Sequence, residues 1–333
     1  MKKIWQTALI ECVTDAKELV ELLDLNDNLI EEIEKSSKLF QLKIPRCLIS
    51  RIEKGNINDP ILKQVLPLGI EQVKTNGYTT DPLNEKKYNP VPGLLHKYHG
   101  RVLLTLTGVC SINCRYCFRR HFPYSENNPN KQSWDNILNY LATDMSITEV
   151  IFSGGDPLIL NDTLLQNLIQ KLENIPHLKR LRIHSRMPII LPERITNDLM
   201  SLLDNSRFNT VLVTHCNHPN EINLNVENSI NKLKKIDLTL LNQAVLLKGV
   251  NDDAETLINL SEKLFKMNIL PYYLHLLDKV EGAAHFNIDT KIAQQLHWEM
   301  TKKLPGYLVP KLVIEKSGAP AKLQVANFEF YTG

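Results

Sequence analysis

Three cysteines lie within eight positions of this 333-residue chain, in the stretch CSINCRYCFRR at 110–120. Cys110, Cys114 and Cys117 have the spacing C-x3-C-x2-C, and two arginines follow directly. A structural zinc site uses four ligands, and a [4Fe–4S] cluster is usually held by four thiolates. Three thiolates would leave one iron open to a small molecule. The spacing favours such a cluster; the alternatives are zinc with His121 as fourth ligand, or three cysteines that are merely buried.

The composition is ordinary for a globular protein, with 43% hydrophobic and 23% charged residues. A net charge of +2 gives no reason to expect a nucleic-acid or membrane partner. No run approaches the ~18 apolar residues of a membrane span. The remaining cysteines, Cys12, Cys47 and Cys216, are isolated, and clustered thiols favour metal chemistry over disulfides. We therefore expect a cytoplasmic protein with reduced thiols.

The first residues, MKKIWQTALIECVTDAKEL, contain two lysines followed by apolar residues. Polar residues interrupt that apolar run, which argues against a secretion signal. The positions of Ile4, Ala8, Ile10 and Val13 instead predict an amphipathic helix.

A regular alternation of β-rich and helical patterns begins near residue 100. The β-rich runs are 101–108, 149–155, 181–185, 210–215, 238–247 and 271–278. Strands separated by helices, at about 30 residues per unit, indicate βαβ units and a parallel sheet. We predict an α/β fold, a partial (βα)6 barrel of the TIM type. It divides into an N-terminal helical segment and linker over 1–95, the barrel over 96–285, and a C-terminal segment over 286–333.

Polar residues and glycines gather where the predicted strands end. Cys110 follows the first strand, Gly154, Gly155 and Asp156 follow the second, and His215 ends the fourth. Active sites of βα barrels lie at the carboxyl ends of the strands. The fold and the candidate site therefore agree.

The cysteine loop, with Tyr116 just before its last cysteine, resembles that of the radical S-adenosylmethionine (SAM) enzymes. The resemblance implies a [4Fe–4S] cluster on the three cysteines, with SAM bound to the open iron. SGGDP at 153–157 resembles the family's glycine-rich motif. The residues that the resemblance implies for SAM binding are Tyr116, Gly154, Gly155, Asp156 and His215, with Asn217 nearby.

A closer resemblance, over about residues 80–325, is to the lysine 2,3-aminomutases. It is carried by RVLLTLTGVCSINCRYCFRRHFP, THCNHPNEI, NQAVLLKGVND and GYLVPKLVIEKSGAPAK. The short chain and the sequence segments KYHGR and CRYCFRRHFPY are most similar to the bacterial branch that supplies (R)-β-lysine for modifying elongation factor P. The resemblance implies an isomerase acting on L-lysine, linked functionally to elongation factor P and its lysyl ligase.

That family also uses pyridoxal 5′-phosphate (PLP), which requires a lysine for its resting Schiff base. The resemblance implies Lys322 for this catalytic role, although Ala319, Pro320 and Ala321 replace most of the family's glycines. Further roles implied by the resemblance are PLP phosphate binding by Arg101, with Lys97 nearby; PLP binding by Gln243; substrate carboxylate binding by Arg119; and ε-ammonium binding by Asp278 and Glu315, the latter in place of an aspartate.

Several alternatives stay open. One is a freestanding lysine or glutamate 2,3-aminomutase, although Asp278 and Glu315 favour lysine. A different class is a zinc- or iron-binding interaction module. Longer lysine aminomutases carry a zinc site where this chain has Asp253, and no cysteine follows Cys216. We therefore expect no structural zinc and a simple assembly, a homodimer, with an N-terminal segment that caps the barrel or carries a dimer contact.

Overall fold

The computed structural model describes residues 3–38, 40–127 and 131–325. Its centre is one sheet whose nine strands lie in chain order. Strands β2 to β8 are parallel, and β1 and β9 are antiparallel at the two edges. The strands are β1 Leu94–Tyr98, β2 Arg101–Thr107, β3 Glu149–Gly154, β4 Arg180–Ser185, β5 Asn209–His215, β6 Thr239–Val245, β7 Leu270–His275, β8 Lys311–Ile314 and β9 Leu323–Gln324.

Helices connect the parallel strands and cover the sheet. The α-helices are α1 Ile4–Ile10, α2 Ala16–Leu22, α3 Leu29–Ser37, α4 Arg46–Ile49, α5 Tyr124–Asn127, α6 Lys131–Thr143, α7 Asp162–Glu173, α8 Met187–Ile190, α9 Asn197–Asp204, α10 Leu224–Leu233, α11 Ala254–Lys266 and α12 Thr290–Lys303. Because α6, α7, α9, α10, α11 and α12 each lie between consecutive parallel strands, the core contains six βα units. The predicted (βα)6 arrangement is confirmed.

Local sequence explains where these helices begin and which face they bury. On α7, Leu165, Leu168, Ile169 and Leu172 follow the helical period and are buried. Each helix start needs acceptors for its free N–H groups. At four helix starts a side-chain oxygen accepts a hydrogen bond from the backbone N–H three residues later. These side chains are Asn161, Thr196, Asn223 and Asp253.

The sheet extends beyond the segment that the sequence assigned to the barrel. Strand β8 is a seventh parallel strand and comes from the C-terminal segment. Its four residues, KLVI, are too few to show a strand period in the sequence. No helix in the described ranges is both long and apolar enough to cross a membrane.

The N-terminal helix forms, but its buried face is not the predicted one. Ile4 and Ile10 are 79% and 64% exposed, whereas Trp5 is 2% exposed. The indole ring of Trp5 lies 4.5 Å from the guanidinium carbon of Arg194. Val13 lies beyond the helix and pairs with Ile44 in an isolated bridge. The helix therefore docks mainly through Trp5, with Ala8 and Leu9 partly buried against the same core.

Two consecutive glycines allow the end of β3 to pack against the chain that leads into Cys110. A Cβ on Gly154 would lie 2.6 Å from the Thr107 carbonyl oxygen, and one on Gly155 still closer to that of Val109. The backbone N–H of Gly155 donates to the Thr107 oxygen at 2.7 Å. This close backbone approach positions the cysteine loop, and it requires glycine.

We predict that Gly155→Ala lowers the free energy of unfolding by roughly 1–3 kcal/mol, because the added methyl group must displace backbone. Urea denaturation of the metal-free chain measures the change. Gly306→Ala is the matched control, since an added Cβ there meets no atom within 4 Å; we expect a change within about 0.5 kcal/mol. Equal effects of the two substitutions would show that the close packing at Gly155 is unimportant.

Candidate active site

The cysteine loop begins three residues after β2, at the carboxyl end of the parallel sheet. Its three thiols are free and partly buried. Burial raises the pKa of Cys110 well above its ordinary value, and the neighbouring Cys117 and Cys114 add to this. Burial likewise raises the pKa of Cys117 to about 11. In the described ranges no three metal-binding side chains converge on a single-ion site, and a [4Fe–4S] cluster takes one thiolate per iron. His121, the alternative fourth ligand, has an exposed side chain.

The N-terminal segment holds this loop from outside the barrel. The buried guanidinium of Arg115, between two of the cysteines, forms an ion pair with Glu71. The backbone N–H of Arg115 donates to the Gln64 carbonyl oxygen at 2.9 Å. Lys43 Nζ donates to the carbonyl oxygen of Cys110 at 2.7 Å. The conformation of the loop therefore depends on residues 40–71.

Arg186, directly after β4, is a buried arginine that contacts the cysteine loop. Its Nη1 donates to the sulfur of Cys114 at 2.8 Å. Its Nη2 donates to Gln64 Oε1 at 2.7 Å and to Glu221 Oε2 at 2.9 Å. Its Nε is buried and has no hydrogen-bond partner within the described chain. This unpaired donor lies next to the cysteine loop. Because buried donors are normally paired, it indicates that a polar ligand binds at this end of the sheet.

Tyr116 and His215 contact each other across the same site. The Tyr116 hydroxyl lies 3.2 Å from His215 Nε2, and Asn217 Nδ2 donates to that hydroxyl at 2.8 Å. Burial lowers the pKa of His215 to about 3, so its imidazole is neutral at pH 7. Tyr116, which lies within the cysteine loop, and His215, two of the residues predicted to bind SAM, are therefore in contact.

Asp156 ties the ends of β3 and β4 together. Its carboxylate accepts the Ser185 hydroxyl at 2.7 Å and the backbone N–H groups of Arg186 and Met187 at 2.8 and 3.1 Å. The side chain thus fixes the turn that carries Arg186. The predicted SAM contacts of Gly154, Gly155 and Asp156 stay predictions.

Arg119 is buried and is held by a glutamate that the sequence did not reveal. Its Nε and Nη2 donate to the two carboxylate oxygens of Glu85 at 2.9 and 2.7 Å, and its Nη1 donates to Ser153 Oγ at 3.2 Å. Since a guanidinium has five N–H donors, one N–H on each of Nη1 and Nη2 remains for a second carboxylate. Glu85 therefore orients the arginine predicted to bind substrate and leaves it a free edge.

The hairpin between β8 and β9 brings Glu315 and Lys322 together. Its register pairs Ile314 with Leu323, so the next two residues, Glu315 and Lys322, face each other. Their side chains form an ion pair. Glu315 Oε1 also accepts Lys97 Nζ at 2.7 Å and the Tyr98 hydroxyl at 2.9 Å, both from β1. One carboxylate therefore joins the last parallel strand to the first strand of the sheet.

The pKa values of the two carboxyl groups predicted to bind substrate are shifted in opposite directions. Burial alone would raise the pKa of Glu315, but Lys322 and Lys97 outweigh it and hold that pKa well below its usual range. Burial raises the pKa of Asp278 to about 7, and the Glu315 charge contributes. Glu315 is thus ionised throughout the neutral range, whereas Asp278 titrates within it.

Arg101 and Gln243 complete the predicted set. The guanidinium carbon of Arg101 lies 4.8 Å from the Tyr98 ring, and in the described ranges this arginine forms no ion pair. Gln243 on β6 pairs with His215 on β5 and with Tyr273 on β7. Lys322 Nζ lies 5.9 Å from the Tyr273 ring centre. Gln243 therefore lies between the cysteine side and the lysine side of the site.

The predicted residues thus form two groups, one around the thiols and one around Lys322. The sequence analysis missed the residues that orient them, which are Gln64, Glu71, Glu85 and Glu221. Each lies in a short 3-10 helix, without a spacing that marks it. The sequence contains no signal for them, because the arginines that they pair with are seen to be buried only in the folded chain.

Comparison with known proteins places this geometry in a family. Residues 104–260 match the model of the radical SAM superfamily. The L-lysine 2,3-aminomutase of Haemophilus influenzae is 52% identical over 97% of this chain and 96% of its own length. That of Escherichia coli strain K12 is 50% identical over 96% of this chain and 93% of its own. That of Clostridium subterminale is 34% identical over 96% of this chain but 77% of its own length.

The similarities to the aminomutases extend over almost the whole chain and confirm the predicted family and enzyme class. They also favour an enzyme over the metal-binding interaction module that the sequence left open. The superfamily implies SAM and an iron–sulfur cluster, and the three thiols provide a fitting donor set. The chain belongs to the L-lysine 2,3-aminomutase family of radical SAM enzymes.

Proposed function

We propose that this chain uses a [4Fe–4S] cluster, SAM and PLP to convert L-α-lysine into (R)-β-lysine. The observation that carries the proposal is the pairing of Lys322 with Glu315 beside Asp278, because it combines a cofactor-attaching amine with two carboxylates for a second ammonium. Relatives of 50 and 52% identity named L-lysine 2,3-aminomutase support the same substrate. A glutamate substrate would place a third carboxylate against these two.

The cysteine side prepares the radical chemistry. Cys110, Cys114 and Cys117 would bind three irons, and the buried free donor of Arg186 would face a polar ligand on the fourth. The reduced cluster with SAM supplies a radical that removes and later returns one hydrogen atom of the substrate. The neutral His215 and the Tyr116 hydroxyl line this side without adding charge.

The substrate would lie between the two groups, with opposite charges at its two ends. Arg119, oriented by Glu85, would bind the α-carboxylate through its free Nη1 and Nη2 hydrogens. Asp278 and Glu315 would bind the ε-ammonium. Lys322 would hold PLP at rest and release it to the substrate's α-amino group, where the cofactor would supply the conjugated system that lets nitrogen move from C2 to C3. Arg101, without an ion pair in the described chain, would bind the PLP phosphate. Holding the substrate at its α-carboxylate and its ε-ammonium would orient the amino group that migrates between them.

The physiological use that we propose is supply of β-lysine for elongation factor P. The support is similarity in length. This chain covers 96% and 93% of the lengths of the two relatives that are 52% and 50% identical to it. It covers only 77% of the clostridial enzyme, which is 34% identical. The chain thus resembles the short enzymes, the branch that the sequence indicated. A lysyl ligase for elongation factor P would consume the product.

The chain, reconstituted anaerobically with iron and sulfide and given reductant, SAM, PLP and L-lysine, should form (R)-β-lysine. Chiral mass spectrometry measures the product, and SAM should not be consumed in proportion. The control omits PLP, which should abolish product but leave the cluster. Cleavage of SAM without β-lysine, on free lysine and on lysylated elongation factor P alike, would refute the lysine 2,3-aminomutase assignment.

Lys322→Ala should lose the visible absorbance of bound PLP while keeping the iron content of the parent chain, because it removes the amine that attaches PLP and leaves the cysteine loop unchanged. Borohydride reduction and intact mass measurement show the covalent adduct directly. Lys316→Ala is the matched control, since Lys316 lies on the same hairpin with an exposed side chain, and should keep the adduct. An adduct that persists in Lys322→Ala would assign PLP to another lysine.

The KM for lysine should fall roughly tenfold between pH 6 and pH 8, because Asp278, with a pKa of about 7, must lose its proton to bind an ammonium. The ε-ammonium of lysine stays charged over this window. Steady-state kinetics of the loaded enzyme gives the profile. Asp278→Asn should raise KM and flatten the profile. An unchanged pH dependence in Asp278→Asn would mean that another group titrates.

A further inference from the structure

Gln64 connects the N-terminal segment to the cysteine side of the site. It ends the 3-10 turn Leu62–Gln64 and is 0% exposed. Its Oε1 accepts from Arg186 Nη2 at 2.7 Å, from Asn217 Nδ2 at 3.0 Å and from the Tyr116 hydroxyl at 3.3 Å. One amide oxygen therefore contacts three side chains that surround the thiols.

The orientation of this amide is determined by its nitrogen. Gln64 Nε2 donates to the Pro60 carbonyl oxygen at 3.0 Å and to Glu221 Oε1 at 3.2 Å. Both partners only accept hydrogen bonds, so the nitrogen must face them and the oxygen must face Arg186. The turn itself is held by Asp59, whose Oδ1 accepts from the N–H groups of Ile61 and Leu62 at 2.7 and 3.0 Å.

Arg186 links this amide to the cluster ligands. Its Nη1 contacts the sulfur of Cys114 while its Nη2 is shared between Gln64 and Glu221. Hydrogen bonds and positive charge at a cluster sulfur favour the reduced, more negative cluster and raise its reduction potential. A long arginine side chain keeps such a position only if its remaining N–H groups are also fixed.

We propose that Gln64 is a positioning residue whose amide holds the Arg186 guanidinium on the sulfur of Cys114, so that the N-terminal segment sets the reduction potential of the cluster. The inference rests on the proposed cluster at the three cysteines. It is independent of PLP and of the amino acid substrate. It also gives residues 60–71 a role in the chemistry beyond covering the barrel.

The test is a redox titration of the reconstituted chain without SAM, followed by electron paramagnetic resonance of the reduced cluster. Gln64→Met keeps the length of the side chain but removes the acceptor and donor. We expect the ratio of reduced to oxidised cluster at a fixed potential to fall about tenfold, which is about 59 mV for a one-electron couple. Iron content and the far-ultraviolet circular dichroism should match those of the parent chain.

A double-mutant cycle separates positioning from a general loosening of the chain. Arg186→Gln should lower the ratio at least as much as Gln64→Met, and adding Gln64→Met to Arg186→Gln should change it no further. Asn113→Ala is the matched control. It removes another tie between the cysteine loop and the N-terminal segment, the 2.7 Å bond from Asn113 Nδ2 to the Gln41 carbonyl oxygen, without touching Arg186, and should leave the potential unchanged.

Equal potentials in Gln64→Met and the parent chain, or additive effects in the cycle, would overturn the inference and leave the proposed function intact. A parent chain that binds no cluster would overturn both. If Gln64→Met does not fold, Gln64→Asn replaces it, because the shorter side chain keeps an amide that cannot reach Arg186. The same fall in the reduced fraction is expected there, and an unchanged fraction would again overturn the inference.

Discussion

A buried charge needs a compensating partner, and this requirement organises the site. Three arginines are buried around the cysteine loop, and each is neutralised by one glutamate. The pairs are Arg115 with Glu71, Arg119 with Glu85, and Arg186 with Glu221. Removing one partner of a buried pair typically costs roughly 3–5 kcal/mol, since the other charge is left without compensation. The loop that presents the thiols is thus fixed by charge pairing as much as by apolar packing.

Two of these glutamates, Glu71 and Glu85, come from the segment before the barrel, and so does Gln64. The described part of the segment before the barrel therefore contributes side chains to the candidate site and does more than cover it. A division of the chain into a helical segment and a barrel describes the order of the elements well. It does not describe the site, because the barrel alone would leave Arg115 and Arg119 buried without their carboxylates.

The regular part of the fold was predictable from sequence and the supporting contacts were not. Each βα unit has a strand run and a helix of clear period, and the cysteine spacing marks its own chemistry. Gln64 and Glu85 gave no such signal, because their partners lie 122 and 34 residues away and only the folded chain brings them together. Strand β8 was missed for a related reason, since four residues are too few to show a period. Lys97 and Glu315 were predicted for separate ligands, yet they pair with each other.

The pairing of Glu315 has a consequence for how the lysine side can be used. Without ligands, Glu315 and Asp278 are balanced by the ammonium groups of Lys97 and Lys322. A lysine substrate brings another ammonium, which this balance does not accommodate. Under the proposed function, Lys322 carries PLP until the substrate's α-amino group displaces it, and for that period it presents no ammonium to Glu315. The substrate ammonium can then take that place with the local charge unchanged, so charge compensation at Glu315 favours cofactor attachment before substrate binding.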